Sequence, residues 1–178
     1  AKKGKEYTEV LNLREGGVLK VWYKDNPKLF FVNQLERIEN VPLQVVYASS
    51  QEPREGDAAH LTDGETSTIW HTMYSVTLAK YPHWVDFDAA SVKNMKGFIY
   101  TPRMDSYNGY VKDYEIYVSQ DGKEWGEPVM KGSFEATGEA HKVMFEKPVK
   151  ARYIRFRALS EQRGNDYASG AEFGLIAE

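Results

Sequence analysis

Short runs in which apolar and polar residues alternate, each closed by a turn signal, fill most of this chain. In Tyr114-Glu115-Ile116-Tyr117-Val118-Ser119, the side chains of Tyr114, Ile116 and Val118 fall on one face at period two. Asp121-Gly122 then closes a turn, with Trp125 just beyond it. Val143 and Phe145 alternate with Lys142 and Met144, and Ile154, Phe156 and Ala158 alternate with Arg155 and Arg157. After the Tyr81-Pro82 break, Val85 and Phe87 alternate with Asp86 and Asp88. No stretch sustains a helical period. Repeated short strands of this kind predict an all-β sandwich or barrel. Trp70, Trp84 and Trp125 are assigned to its core, and Asp86 and Asp88 to a solvated face.

The N-terminal region differs in kind. Leu19, Val21 and Tyr23 alternate with Lys20 and Lys24 after Gly16-Gly17, and Leu29-Phe30-Phe31-Val32 reads as a further strand. Two or three strands cannot bury a core alone. Residues 1–42 are therefore read as the last strands of a preceding β module or a linker, and residues 43–178 as the main domain. The chain starts at Ala1 rather than Met, so it reads as a piece of a longer protein with any signal peptide upstream.

Composition narrows the functions. Hydrophobic residues at 42% support a buried core, while a net charge of −3 removes the basic excess that a nucleic-acid or anionic-membrane surface needs. The absence of Cys excludes a disulfide framework, a thiol nucleophile and a thiolate-bound metal. No segment is long and apolar enough for a membrane helix. HExxH, GxSxG and phosphate-loop patterns are missing as well. The twelve Tyr and four Trp matter more, because aromatics on that scale fill a β-core or supply flat, partly polar surfaces to a ligand.

Chemistry concentrates in His60-Leu61-Thr62-Asp63-Gly64-Glu65-Thr66-Ser67-Thr68-Ile69-Trp70-His71-Thr72 and in the terminal Ala171-Glu172. Carboxylates, a Thr hydroxyl and turn carbonyls are hard oxygen donors, of which Ca²⁺ gathers about six to eight. Other ordered pieces are Ala48-Ser49-Ser50, Thr101-Pro102-Arg103 with Asn108-Gly109, the run from Tyr114 to Trp125, and Ala151-Arg152-Tyr153-Ile154-Arg155. Together they resemble the coagulation factor V/VIII type C, or discoidin-like, domain over about residues 43–178, and within it the family 32 carbohydrate-binding modules. The set is also similar to the N-terminal sugar-binding domain of fungal galactose oxidase. Tyr7 to Phe31 resembles the end of a fibronectin-like module found after bacterial hexosaminidase catalytic domains.

The resemblance implies a discoidin-like (galactose-binding-domain-like) jelly-roll β-sandwich with a structural Ca²⁺. The ion would take side chains of Asp63, Thr68 and Glu172, and backbone carbonyls of His60, Glu65, Thr68 and Ala171. It implies a sugar site made of His71, Tyr74 and Arg103, with Asn108 as a further hydrogen-bonding residue and Tyr167 as a second ring surface. By type these suit a saccharide: Arg offers a rigid fork to vicinal hydroxyls, Asn donates and accepts, and aromatic rings cover C–H faces. Glu52 or Glu55 is expected to join them, and spacing does not choose between the two. The expected function is a non-catalytic module that binds terminal galactose or N-acetylgalactosamine and targets an attached bacterial glycoside hydrolase. As partners it would have a glycan and an upstream catalytic domain, with no nucleic acid and no membrane insertion; it is expected to be exported and monomeric. The rival readings are an adhesion or protein-interaction domain of the same fold without sugar binding, and an accessory structural domain of a hydrolase.

Overall fold

The alternation near the N-terminus corresponds to a hairpin of β1 (Gly17–Tyr23) and β2 (Asn26–Leu35), antiparallel with Val21 opposite Phe31. A computed structural model describes residues 17–23, 26–35 and 40–178. The part of the fibronectin-like resemblance before Gly17 lies outside the described residues. The chain divides into two compact units, residues 1–39 and 40–178. The division precedes the expected boundary after residue 42, because β3 (Asn40–Val41) pairs with the last strand, β11 (Glu172–Ala177), through Val41 and Leu175.

The second unit is built around two long strands. β6 (His83–Thr101) and β9 (His141–Ala158) run antiparallel along most of their length. Their register slips between Asp88 and Lys93, where Ala90 takes a positive φ of 61° and its amide donates to Asp88 Oδ1 at 2.8 Å. An irregularity of this kind bends a strand sharply. It divides the sheet into two layers. One layer holds β4 (Gln44–Ala48), the first half of β6, the second half of β9, β7 (Asp113–Ser119) and β8 (Met130–Ser133). The other holds β3, β11, the second half of β6 and the first half of β9.

The alternation seen in the sequence puts Val85, Phe87, Ile116, Ile154 and Phe156 between the layers, each almost fully buried. Phe98 stacks on Phe173 at 5.5 Å and meets Tyr114 edge-on at 5.5 Å, while Phe173 stacks on Phe87 at 4.5 Å. Burying each such ring stabilises the fold by about 1.5–3 kcal/mol.

Two assignments require correction. Trp70 is a core residue, with no exposed surface, but Trp84 and Trp125 are only half-buried. They flank the Arg155 guanidinium, whose carbon lies 5.5 Å and 4.2 Å from the respective rings. Trp84 shares the parity of Asp86, so it must face outward if Val85 and Phe87 face in. Asp86 is also not solvated: it is 5% exposed and accepts two hydrogen bonds from Arg155, at 2.6 and 2.8 Å. Asp88 is paired in the same way with Arg152. A carboxylate covered by rings needs such a partner, since burying it unpaired is costly.

Candidate functional site

One end of the sandwich is organised around β5 (Trp70–His71), which pairs with β10 (Ser169–Gly170) by opposing Ser169 to His71 and Gly170 to Trp70. The buried Trp70 anchors this short strand, its indole N–H donating to the Ser50 carbonyl at 3.0 Å. The loop from Glu52 to Gly56 closes over the backbone of His71: the Glu52 amide donates to the His71 carbonyl at 2.7 Å and the His71 amide to Gly56 at 3.3 Å. Only glycine permits this approach at 56, because a Cβ there would stand 2.7 Å from the His71 carbonyl oxygen. The chain crossing at 109 is equally tight. Gly109 has φ +80°, and a Cβ would meet Ser169 at 2.7 Å. This holds Asn108 against β10, with the Ser169 hydroxyl donating to the Asn108 carbonyl at 2.7 Å.

These loops surround an open pocket of about 310 Å³ lined by Glu55, Ile69, His71, Tyr74, Arg103, Asn108 and Tyr167. His71, Tyr74, Arg103, Asn108 and Tyr167, from segments far apart in the sequence, thus stand together. Of the two candidate acids, Glu55 lines the pocket and Glu52 does not. Glu52 is 4% exposed and holds the next loop, accepting the Tyr74 amide at 2.7 Å, the Ser75 amide at 3.0 Å and the Ser75 hydroxyl. Burial alone would raise the Glu52 carboxyl, but these donors keep it below its ordinary range. Ile69 in the pocket wall carries no sequence signal that would have singled it out.

The polar groups are oriented in advance. His71 Nδ1 lies 2.6 Å from the Thr72 carbonyl, which can only accept, so Nδ1 carries the proton and Nε2 is left as an acceptor. Burial is the main cause of a lowered His71 pKa, reinforced by the nearby Arg103 charge. The His71 ring meets Tyr74 edge-on at 5.1 Å and lies tilted against Tyr167 at 5.4 Å. The Tyr74 hydroxyl donates to Glu55, and the hydrogen bond is the main cause of its raised pKa. Arg103 forms a two-point pair with Asp105 at 2.7 Å for each contact, while Tyr110 donates to the Arg103 carbonyl at 2.9 Å. The Asp105 pair fixes the plane of the guanidinium and holds it firmly charged, with its remaining N–H groups still to be used.

A second polar cluster lies where the 60–72 loop reaches β11. The Thr68 hydroxyl is 2.7 Å from Asp63 Oδ2 and 2.8 Å from the Glu65 carbonyl, yet has one hydrogen to give. Glu172 lies beside Asp63, and its Oε1 is buried with no hydrogen-bond partner. Burial first, and then Asp63, push Glu172 up to about 7. Acceptors therefore outnumber donors in this cluster. His60 belongs to the 3₁₀ turn Ala58–Thr62; its ring donates to the Ile69 carbonyl at 2.8 Å and its amide to the Asp57 carbonyl at 3.1 Å. Ala171 is fully buried, its amide bonded to the Thr101 carbonyl. Among the described residues, no three His, Cys, Asp or Glu side chains cluster as a metal-binding group.

The lowered histidine pKa values carry a pH prediction. Burial is the largest cause at His71, His83 and His141. A base with a folded pKa below its unfolded value of about 6.5 gives its full stability above that value, and loses it as pH falls through the folded pKa. In excess calcium, the protein should melt at a constant temperature from pH 8 to about 6.5 and lower below that. A flat melting temperature down to about pH 5 would show that these imidazoles protonate freely in the fold.

The β-sandwich with its loop-end pocket is of the discoidin-like class, as its matches show. The chain belongs to the F5/8 type C domain family, which matches residues 45–173. A sialidase of Micromonospora viridifaciens is 36% identical over 151 residues, covering 83% of this chain and 23% of the sialidase. Galactose oxidase of Gibberella zeae is 37% identical over 117 residues, 64% of this chain and 17% of the oxidase. The chain thus spans under a quarter of the length of these curated relatives. Similar solved structures include the Clostridium perfringens module CpGH89CBM32-5 in complex with GalNAc-β-1,3-galactose, with a TM-score of 0.72, 28% identity and coverage of 78% of this chain and 100% of that one. The family 32 module of C. perfringens NanJ, in complex with galactose, gives a TM-score of 0.68 at 26% identity, covering 76% and 96%.

Proposed function

We propose that this chain is a non-catalytic carbohydrate-binding module that takes the terminal galactose or N-acetylgalactosamine of a glycan in the pocket beside His71. One observation carries the reading: separate loops bring an imidazole acceptor, a positioned guanidinium, an exposed amide and two tyrosine rings to one open pocket. Shallow, rigid sites of this composition suit a monosaccharide, whose hydroxyls need fixed partners and whose C–H faces need a ring. Arg103 would give its free N–H groups to adjacent hydroxyls, His71 Nε2 would accept from one, and Tyr74 and Tyr167 would cover the apolar face. The sugars bound by the two C. perfringens modules agree with this choice.

The acceptor-rich cluster fits a calcium ion. Asp63, Thr68 and Glu172 would supply side chains, with main-chain oxygens of His60, Glu65, Thr68 and Ala171, an all-oxygen set suited to a hard cation. Its role would be to tie the 60–72 loop, which carries His71, to the final strand. Catalysis is assigned to another domain of a longer, exported glycoside hydrolase, which the module would hold on its substrate.

The test is a calorimetric titration with methyl β-galactoside, N-acetylgalactosamine and methyl β-glucoside. Saturable binding of the first two, with the glucoside much weaker, is expected; equal affinity for all three would remove the galactose assignment. A second reading draws on Val76 and Leu78, 74% and 43% exposed on the loop after Tyr74. Exposed apolar tips are a means of lipid adhesion, and sedimentation with vesicles would then carry the protein down whether or not sugar is present.

A further inference from the structure

The pocket ends at Asn108, but the loop that carries it does not become inert there. Tyr107, between the pocket residues Arg103 and Asn108, is 59% exposed. The Arg163 guanidinium lies over its ring at 5.4 Å from the centroid. Arg163 belongs to the loop that also delivers Tyr167 to the pocket, so the Tyr107–Arg163 contact joins two of the loops that line it. Among the described residues no carboxylate pairs with Arg163, which leaves its fork of N–H donors facing solvent.

Both halves of this pair are held from below. Tyr107 packs at 5.2 Å on Tyr110, the residue whose hydroxyl also fixes the Arg103 carbonyl. The Arg163 amide donates to Glu161 Oε2 at 2.7 Å, and Asn165 donates to the same oxygen at 3.0 Å; Glu161 is 2% exposed. A ring and a guanidinium at the surface, on backbone that buried groups hold in place, is the composition of a ligand surface rather than of packing. The loop at Val76 and Leu78 differs here, because it presents aliphatic side chains with no guanidinium over a ring.

We propose that Tyr107 and Arg163 form a second subsite, which takes the penultimate sugar of a glycan whose terminal residue occupies the His71 pocket. This rests on the reading of that pocket as a sugar site. The Tyr107 ring would cover the C–H face of a neutral pyranose, while Arg163 reaches two adjacent hydroxyls with its planar fork. The chain would then select glycans by linkage, because only some linkages carry the second ring outward over Tyr107.

The experiment compares methyl β-galactoside with a panel of galactosyl disaccharides that differ only in linkage, on wild type, Tyr107→Ala and Arg163→Ala. At least one disaccharide should bind wild type roughly tenfold more tightly than the methyl glycoside, the scale of one good hydrogen-bonded contact. Each variant should lose most of that preference while keeping its affinity for the methyl glycoside, which also shows that it is folded. If no disaccharide exceeds the methyl glycoside, or if the preference survives in both variants, the subsite is overturned. Failure of wild type to bind the methyl glycoside at all would instead overturn the pocket reading, and the subsite with it.

Discussion

Arg103→Ala should abolish measurable galactoside binding while leaving the folded protein close to its original melting temperature. A hydrogen bond from a charged donor is worth about 1.5–3 kcal/mol, so losing one costs roughly ten- to hundredfold in affinity. A shallow site has little to spare against such a loss. The effect on stability is small for a separate reason. The partner left behind, Asp105, has a side chain that is 65% exposed, so water solvates it once Arg103 is gone. The Arg103 side chain itself is only 14% exposed, but an ion pair with one member open to water still contributes only about 1 kcal/mol. Calorimetric titration beside a thermal melt separates the two quantities. Undiminished binding by Arg103→Ala would remove this residue from the site, and a large loss of melting temperature would make its pairing with Asp105 structural instead.

Chelation should lower the melting temperature by on the order of 5–10 °C if calcium is present at about a hundred times its dissociation constant. An ion that binds only the folded state adds stability by mass action, about 2.7 kcal/mol at that excess. Asp63→Ala should melt like the chelated wild type and respond no further to chelator. The pH sign follows from Glu172, raised to about 7 mainly by burial. In the chelated protein, ionising this acid beside Asp63 costs stability above pH 7, and the cost is relieved as pH falls through that value. Calcium would do the same by neutralising both carboxylates, so its stabilising effect should be larger at pH 8 than at pH 6. Identical melts with calcium and with chelator across this range would eliminate the ion.

The fold was legible because inward and outward residues alternate so regularly along β6, β7 and β9. The bend at Ala90 was not: Asp88 can form a turn, and its carboxylate accepts the Ala90 amide, but no glycine marks the positive φ that Ala90 takes. Trp84 was misassigned by residue type, although its parity with Asp86 placed it outside. Trp125 lay beyond reach, since its contact with Arg155 joins segments far apart in the chain. For the pocket, the family resemblance singled out the five residues that line it alongside Glu55 and Ile69. The choice between Glu52 and Glu55 needed the structure, because both lie on one short loop and only the Tyr74 and Ser75 amides decide which is consumed. Arg163 gave no signal in the sequence because its ring partner, Tyr107, comes from another loop.

The central claim is that this pocket holds a galactose-type sugar, and backbone NMR of the isotopically labelled chain during addition of methyl β-galactoside tests it most directly. The account predicts saturable shifts concentrated at His71, Tyr74, Arg103, Asn108 and Tyr167, with the outer face around Trp84 and Trp125 undisturbed. Shifts centred on that outer face, or none at saturating sugar, would contradict it.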